Sequence, residues 1–404
     1  MRVVQVNCVY KKGSTGKIVY DLHTAYQAQG MESFVCYGRG EKTAEENVYK
    51  TASETVSKAY NVLSRLTGIQ YGGNWSGTAK LIRKIKEIKP DVVHLHCING
   101  FFVNIYRLLG WLKKNRIPTA VTLHAEFMYT GSCAHAFDCE QWKKENGCKK
   151  CPQLREATGS LLLDRTHTAW RRMKKAFDGF ENLTVVSVSP WLEERAKQST
   201  ILKKSNHTCV FNGVDTDTVF HYRQTVELRE KLGLQGKPVV LYVTAAFDTF
   251  KGAHYVLELA RRMPEITFLV IGNRGDIGEH PENVLALGRV ENQEELARYY
   301  AMADVTLLTS KKETFSMVCA ESLCCGTPVV GFEAGAPETI SLPKYSAFCR
   351  YGDVDSLESL LKKAIQNEAY QNKEDISRQA VSVYEKQNMC ERYVRIYKGL
   401  TDEN

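Results

Sequence analysis

The chain has 404 residues, 43% hydrophobic and 25% charged, with a formal net charge of +8. That composition excludes a disordered or fibrous chain, and the length predicts two domains. The excess of 54 basic over 46 acidic residues is small and dispersed, which argues against a nucleic-acid partner and leaves attraction to an anionic surface or a small anionic substrate.

The N-terminal strand pattern VVQVNCVY is broken by Gln5 and Asn7 and is followed by no cleavage-type site, and no stretch reaches the ~18 apolar residues of a membrane span. A soluble, cytoplasmic protein is expected, with its thirteen cysteines reduced. The strand runs into KKGSTGKIVYDL, a glycine-rich turn opening a helix. An ATP-type loop needs four residues between its first glycine and Gly-Lys-Ser/Thr. Here only Ser14 and Thr15 separate Gly13 from Gly16-Lys17, and Ile18 replaces the hydroxyl. The loop is therefore either another phosphate-facing helix N-terminus or a tight turn.

Strand patterns ESFVCYG, DVVHLHC, TAVTLH and LTVVSVS follow, apolar on both faces as in parallel sheets, with helical patterns such as TAKLIRKIKEIK between them. His94 and His96 share one strand face, and strand-end packing or an acceptor-side role suits them better than metal ligation. After TAVTLH comes GSCAHAFDCEQWKKENGCKKCPQL, an insertion at about 130–155. Cys148 and Cys151 have metal-knuckle spacing, while Cys133 and Cys139 form a looser pair; the four could hold a structural zinc or remain free thiols. AKLIRKIKEIK and TAWRRMKKAF place basic beside apolar residues at helical spacing, which fits either an anionic membrane surface or a solvated face.

The polar stretch 211–237, with its Asn212-Gly213 turn, marks a domain boundary. Beyond it PVVLYVTA, ITFLVIG, DVTLLTS and TPVVGF alternate with helical patterns. The expected fold is α/β, two Rossmann-like doubly wound domains, residues 1–214 and 215–385, with a final helix 386–404 packing back on the first. In KKETFSMVCAESLCCGTPVVGFEAGAPETI, Ser316 can cap a helix, and Glu321 lies within that helix among apolar residues, where a carboxylate needs partners such as ribose hydroxyls unless it faces solvent.

Glu313-x7-Glu321, the following Cys325-Gly326-Thr327-Pro328, and Gly335-Ala336-Pro337-Glu338 resemble the retaining GT-B glycosyltransferases of family 4, of the bacterial polysaccharide type with a cysteine-bearing insertion. The likeness includes the opening glycine loop, Pro90-Asp91-Val92-Val93-His94-Leu95-His96, Thr122-Leu123-His124, Asn212-Gly213-Val214-Asp215 and Lys251-Gly252. It implies two domains facing across a cleft and transfer of a hexose from a nucleotide-diphosphate sugar, UDP favoured over GDP, to a glycan or lipid-linked saccharide. In that picture Glu313, His124 and Lys251 are catalytic, with Lys251 on the diphosphate. Gly16, Thr314 and the amides of Phe315, Ser316, Met317 and Val318 hold phosphate and sugar, Glu321 the ribose, and Arg289 and Val290 the base. No catalytic metal is implied. The family's usual phosphate-binding arginine is replaced by Ala245 and Ala246, for which Arg274 could substitute. That departure keeps open a non-catalytic nucleotide- or glycan-binding protein on the same fold.

Overall fold

The computed structural model describes residues 1–272 and 277–402. The chain divides into two compact units: Met1–Phe211 with the chain from Cys390 onward, and Asn212–Met389. Each is built around one all-parallel sheet.

The first sheet has seven strands in the order β3-β2-β1-β4-β5-β6-β7. These are β1 (Arg2–Asn7), β2 (Glu32–Tyr37), β3 (Val48–Lys50), β4 (Val92–Leu95), β5 (Thr119–Leu123), β6 (Leu183–Ser187) and β7 (Asn206–Cys209). The central strands are buried along almost their full length, which is why their sequences read as continuous apolar runs. Helices α1 (Gly13–Ala28), α2 (Glu54–Thr67), α3 (Trp75–Ile88) and α4 (Ile105–Lys114) lie between them. On α3, Leu81, Ile82, Ile85 and Ile88 are buried. The apolar stripe of AKLIRKIKEIK thus faces the core and is not available to a membrane.

The second sheet has six strands in the order β10-β9-β8-β11-β12-β13. They are β8 (Val239–Val243), β9 (Thr267–Ile271), β10 (Val284–Gly288), β11 (Val305–Leu308), β12 (Val329–Phe332) and β13 (Ser346–Cys349). Val240, Tyr242, Phe268, Leu307 and Phe332 pack with Leu357 and Leu361 of the helix Val354–Gln366 in its core.

After the second unit the chain returns to the first. The helix Lys386–Asp402 buries Tyr393 and Tyr397. Tyr397 Oη lies 2.6 Å from His94 Nδ1 and 3.0 Å from Tyr26 Oη, and Tyr393 Oη lies 2.9 Å from Thr122 Oγ1. Among the described residues no helix is long and apolar enough to cross a membrane.

Candidate active site

In the second unit the loops leaving β8, β11 and β12 converge at the C-terminal ends of neighbouring strands, where open α/β sheets bind ligands. Lys251 follows β8. Its N–H donates to Asp248 Oδ1 at 2.8 Å, and its carbonyl accepts from Tyr242 Oη at 2.7 Å and Thr309 Oγ1 at 2.9 Å. Glu313 follows β11. Its N–H donates to Ala334 O at 2.9 Å, while Ala336 N donates back to Glu313 O at 3.3 Å, fixing it to the loop after β12. That second loop is held in turn by the Glu338 carboxylate, which accepts from Ala334 N at 3.1 Å and Gly335 N at 2.7 Å. With both backbones anchored, Lys251 Nζ meets Glu313 Oε1 at 2.7 Å, and both side chains are partly exposed.

The helix Met317–Cys324 starts immediately after this pair. Ser316 caps it as its spacing predicts, accepting from Cys319 N at 3.3 Å, in an unusual conformation for a non-glycine residue, with φ at 84°. The first-turn N–H groups of such a helix form a partly positive end suited to an anion. Phe315 is buried, whereas Thr314, Met317 and Val318 are half-buried. One turn further on, half-buried Glu321 accepts from Tyr300 Oη at 3.2 Å. Burial and that carboxylate hold the Tyr300 hydroxyl well above its usual pKa, so it stays a donor. Arg289 is exposed beyond β10 with Nε 3.5 Å from Glu291 Oε1, and Val290 beside it is half-buried. Ala245 and Ala246 occupy the loop after β8, where Ala246 N donates to Thr244 Oγ1 at 3.2 Å. Arg274 lies outside the described residues.

The first unit holds Gly16 and His124. Gly16 sits in the first turn of α1, and a Cβ there would lie 3.1 Å from Val9 Cγ2 and 3.3 Å from Lys11 N. Its smallness thus serves the tight exit from β1. The N-cap Lys12 gives no side-chain cap to the helix. His124, just past β5, places Nε2 3.3 Å from His96 Nδ1, and His96 Nε2 lies 3.2 Å from Gln5 Oε1. Gln5 Nε2 donates to Val19 O at 3.5 Å, so its oxygen faces His96 as an acceptor. Burial keeps both imidazoles neutral, drawing His124 down to about 4 and His96 well below 6.5. Accordingly His96 carries its proton on Nε2, and His124 donates from Nε2 to the bare Nδ1 of His96. His94 and His96 are held within the protein interior, as the strand-face reading expects.

The loop after His124 is fixed by a buried carboxylate. Glu126, fully buried, takes Arg195 Nη2 at 2.6 Å, Arg195 Nε at 2.8 Å, Tyr129 Oη at 2.5 Å and Ala136 N at 2.7 Å. Arg195 comes from the helix Pro190–Gln198, a connection across 69 residues that no local pattern displays. In the cysteine insertion Cys133 and Cys148 are buried, and the Cys148 thiol donates to Thr130 O at 3.5 Å. Among the described residues, no group of three or more His, Cys, Asp or Glu side chains is placed to hold a metal ion.

Comparison with known proteins is consistent across the chain. Residues 15–218 match the profile of Glycosyltransferase Family 4, and residues 224–383 that of Glycosyl transferases group 1. WcaC of Escherichia coli K12, assigned as a colanic acid biosynthesis glycosyl transferase, is 24% identical, with 99% of this chain and 100% of that protein aligned. Sucrose-phosphate synthase from Thermosynechococcus elongatus superposes with a TM-score of 0.70 at 16% identity over 100% of both chains. Anabaena Alr3699/HepE in complex with UDP superposes at 0.67 and 15% identity over 99% of this chain and 100% of that one. The matched profiles, the two parallel sheets and these neighbours place the chain in glycosyltransferase family 4, as a transferase of the GT-B fold.

Proposed function

We propose that the protein transfers a hexose, with retention of configuration, from a UDP-sugar to a glycan or lipid-linked saccharide in cell-surface polysaccharide synthesis. The observation that carries this reading is the Lys251–Glu313 pair at the strand ends beside the N-terminus of helix Met317–Cys324. An incoming diphosphate draws the Lys251 ammonium toward it and frees the Glu313 carboxylate to accept from hydroxyls of the donor sugar. Charge gathering on the leaving phosphate is then met by Lys251 and the helix-end amides of residues 315–318, without a catalytic metal. Glu321, steadied by Tyr300, accepts from the ribose hydroxyls, and Arg289 and Val290 lie beside the base. Gly16 and His124, which lie in the first unit, keep the phosphate and sugar roles that the family resemblance implies. The solved HepE complexes with UDP and with UDP-glucose support the donor class, and the colanic acid assignment of WcaC supports the pathway class.

The test is nucleotide release from a panel of UDP- and GDP-hexoses with a saccharide acceptor, together with the anomeric configuration of the product by NMR. Turnover of a UDP-hexose is expected, with Glu313→Gln and Lys251→Ala each lowering kcat about 100-fold or more at unchanged melting temperature. Turnover of GDP-sugars alone, an inverted product, or wild-type rates in both variants would overturn the assignment.

A further inference from the structure

Helix α2 is inside out. Its buried residues are Ser57 and Ser64, whereas Val62, Leu63 and Leu66 are exposed. It therefore packs on the unit through Ser57 and Ser64, with the Tyr60 ring against Gly73, and turns Val62, Leu63 and Leu66 outward, the reverse of what a globular surface helix does with its large aliphatic side chains. The exposed apolar surface continues past its end. Leu161 N donates to Arg65 O at 2.7 Å, and the Leu163 carbonyl lies so close to Gly68 that a Cβ there would come within 2.1 Å. The run Leu161, Leu162, Leu163 thus sits against the C-terminus of α2, with Leu162 69% exposed. Ile69 and Trp75, the latter 56% exposed, extend the surface along an apolar groove of about 180 Å³ floored by Tyr71 and Phe101. Contiguous apolar surface of this kind marks a docking face.

What borders it identifies the partner. The Arg107 guanidinium lies 5.0 Å over the Trp75 ring, and that of Arg172 5.9 Å over Tyr106, with Arg172 also next to Gly72 in the groove wall. Helix Thr166–Phe177 carries Arg171, Arg172, Lys174 and Lys175 and no carboxylate. Its own apolar residues, Trp170, Met173 and Phe177, are buried, so it offers charge alone. The apolar surface comes from α2 and Leu161, Leu162 and Leu163, and the charge from the neighbouring helices. A cationic rim around exposed leucines and an interfacial tryptophan complements lipid headgroups over acyl chains.

We propose that this face docks the protein on an anionic bilayer, with Val62, Leu66, Leu161, Leu162, Leu163 and Trp75 entering the headgroup boundary and Arg107, Arg171, Arg172 and Lys175 meeting lipid phosphates. The surface stands independently of the donor-site assignments, and its test reads binding without turnover.

The full chain is sedimented with vesicles of phosphatidylethanolamine and phosphatidylglycerol (3:1) and with pure phosphatidylcholine vesicles, at low and high salt. Binding to the anionic vesicles is expected to exceed that to the neutral ones and to weaken with salt. It should fall at least tenfold in the combined Leu161→Ser, Leu162→Ser, Leu163→Ser variant, whose backbone contacts to Arg65 and Gly68 remain, and again in Arg171→Glu/Arg172→Glu. Should the serine variant not fold, quenching of tryptophan emission by brominated acyl chains reads the same face, and Trp75→Phe is expected to remove it. Absence of anionic binding, equal binding to neutral vesicles, unchanged binding in the folded variants, or quenching that survives Trp75→Phe would overturn the proposal. So would a dimer by light scattering that the serine variant converts to monomer, since the face would then join two copies.

Discussion

Lys251 owes its position to its neighbour. Gly252 has φ at 73°, and a Cβ there would lie 2.1 Å from the Thr309 carbonyl, so the loop after β8 closes onto the end of β11 only because no side chain intervenes. Gly252→Ala is expected to cost about 2–4 kcal/mol from backbone strain and displacement of Thr309, read as a lowered melting temperature; a wild-type melting curve would show that the loop has room. The sequence displays the Lys-Gly adjacency but not its cause, because Thr309 is a distant residue whose approach depends on β8 and β11 being neighbours. The same limit applies to Glu321. Its need for partners is readable from its apolar surroundings, yet Tyr300 as the partner requires the packing of helix Gln293–Met302 against helix Met317–Cys324.

At the scale of elements, the nine strands legible in the sequence are the interior strands of the two sheets. The four that were not legible, β3, β7, β10 and β13, are all edges. An edge strand in a parallel sheet is covered incompletely, so it loses the unbroken apolar run that reveals its interior neighbours: every residue of β7 and β13 is at least partly exposed. Helix α2 escaped for a related reason, since periodicity reports that a helix is amphipathic but not which face it turns inward. The last helix was legible as a helix, and its tyrosines supply what the pattern could not. Tyr397→Phe removes the hydroxyl between buried His94 and Tyr26, with an expected loss of about 1–3 kcal/mol in urea unfolding. A loss confined to the few tenths typical of surface changes would show that these groups find other partners.

Over the whole molecule, the buried histidines tie stability to acidity. His94, His96 and His124 are held neutral by burial, with pKa values drawn below the ordinary 6.5. Below pH 6.5 the unfolded chain binds more protons at these positions than the folded one, so stability present above that pH is lost as pH falls toward the folded values. Urea midpoints are expected to drop between pH 7.5 and 5, and His94→Gln to flatten the slope by about 1 kcal/mol per pH unit near pH 5; an unchanged slope would mean that His94 charges without penalty. Of these imidazoles, His94 depends on a helix that the chain supplies only after the entire second unit, Asn212–Met389. At ribosomal rates of about 5–20 residues per second the delay is on the order of ten to thirty seconds. Through that interval the nascent first sheet holds His94 and Tyr26 without Tyr397, exposing the cleft that the last helix will fill. The first unit to emerge is thus the last to be finished, and an interruption of synthesis after residue 385 leaves a sheet with an open apolar flank, a substrate for chaperones or proteases.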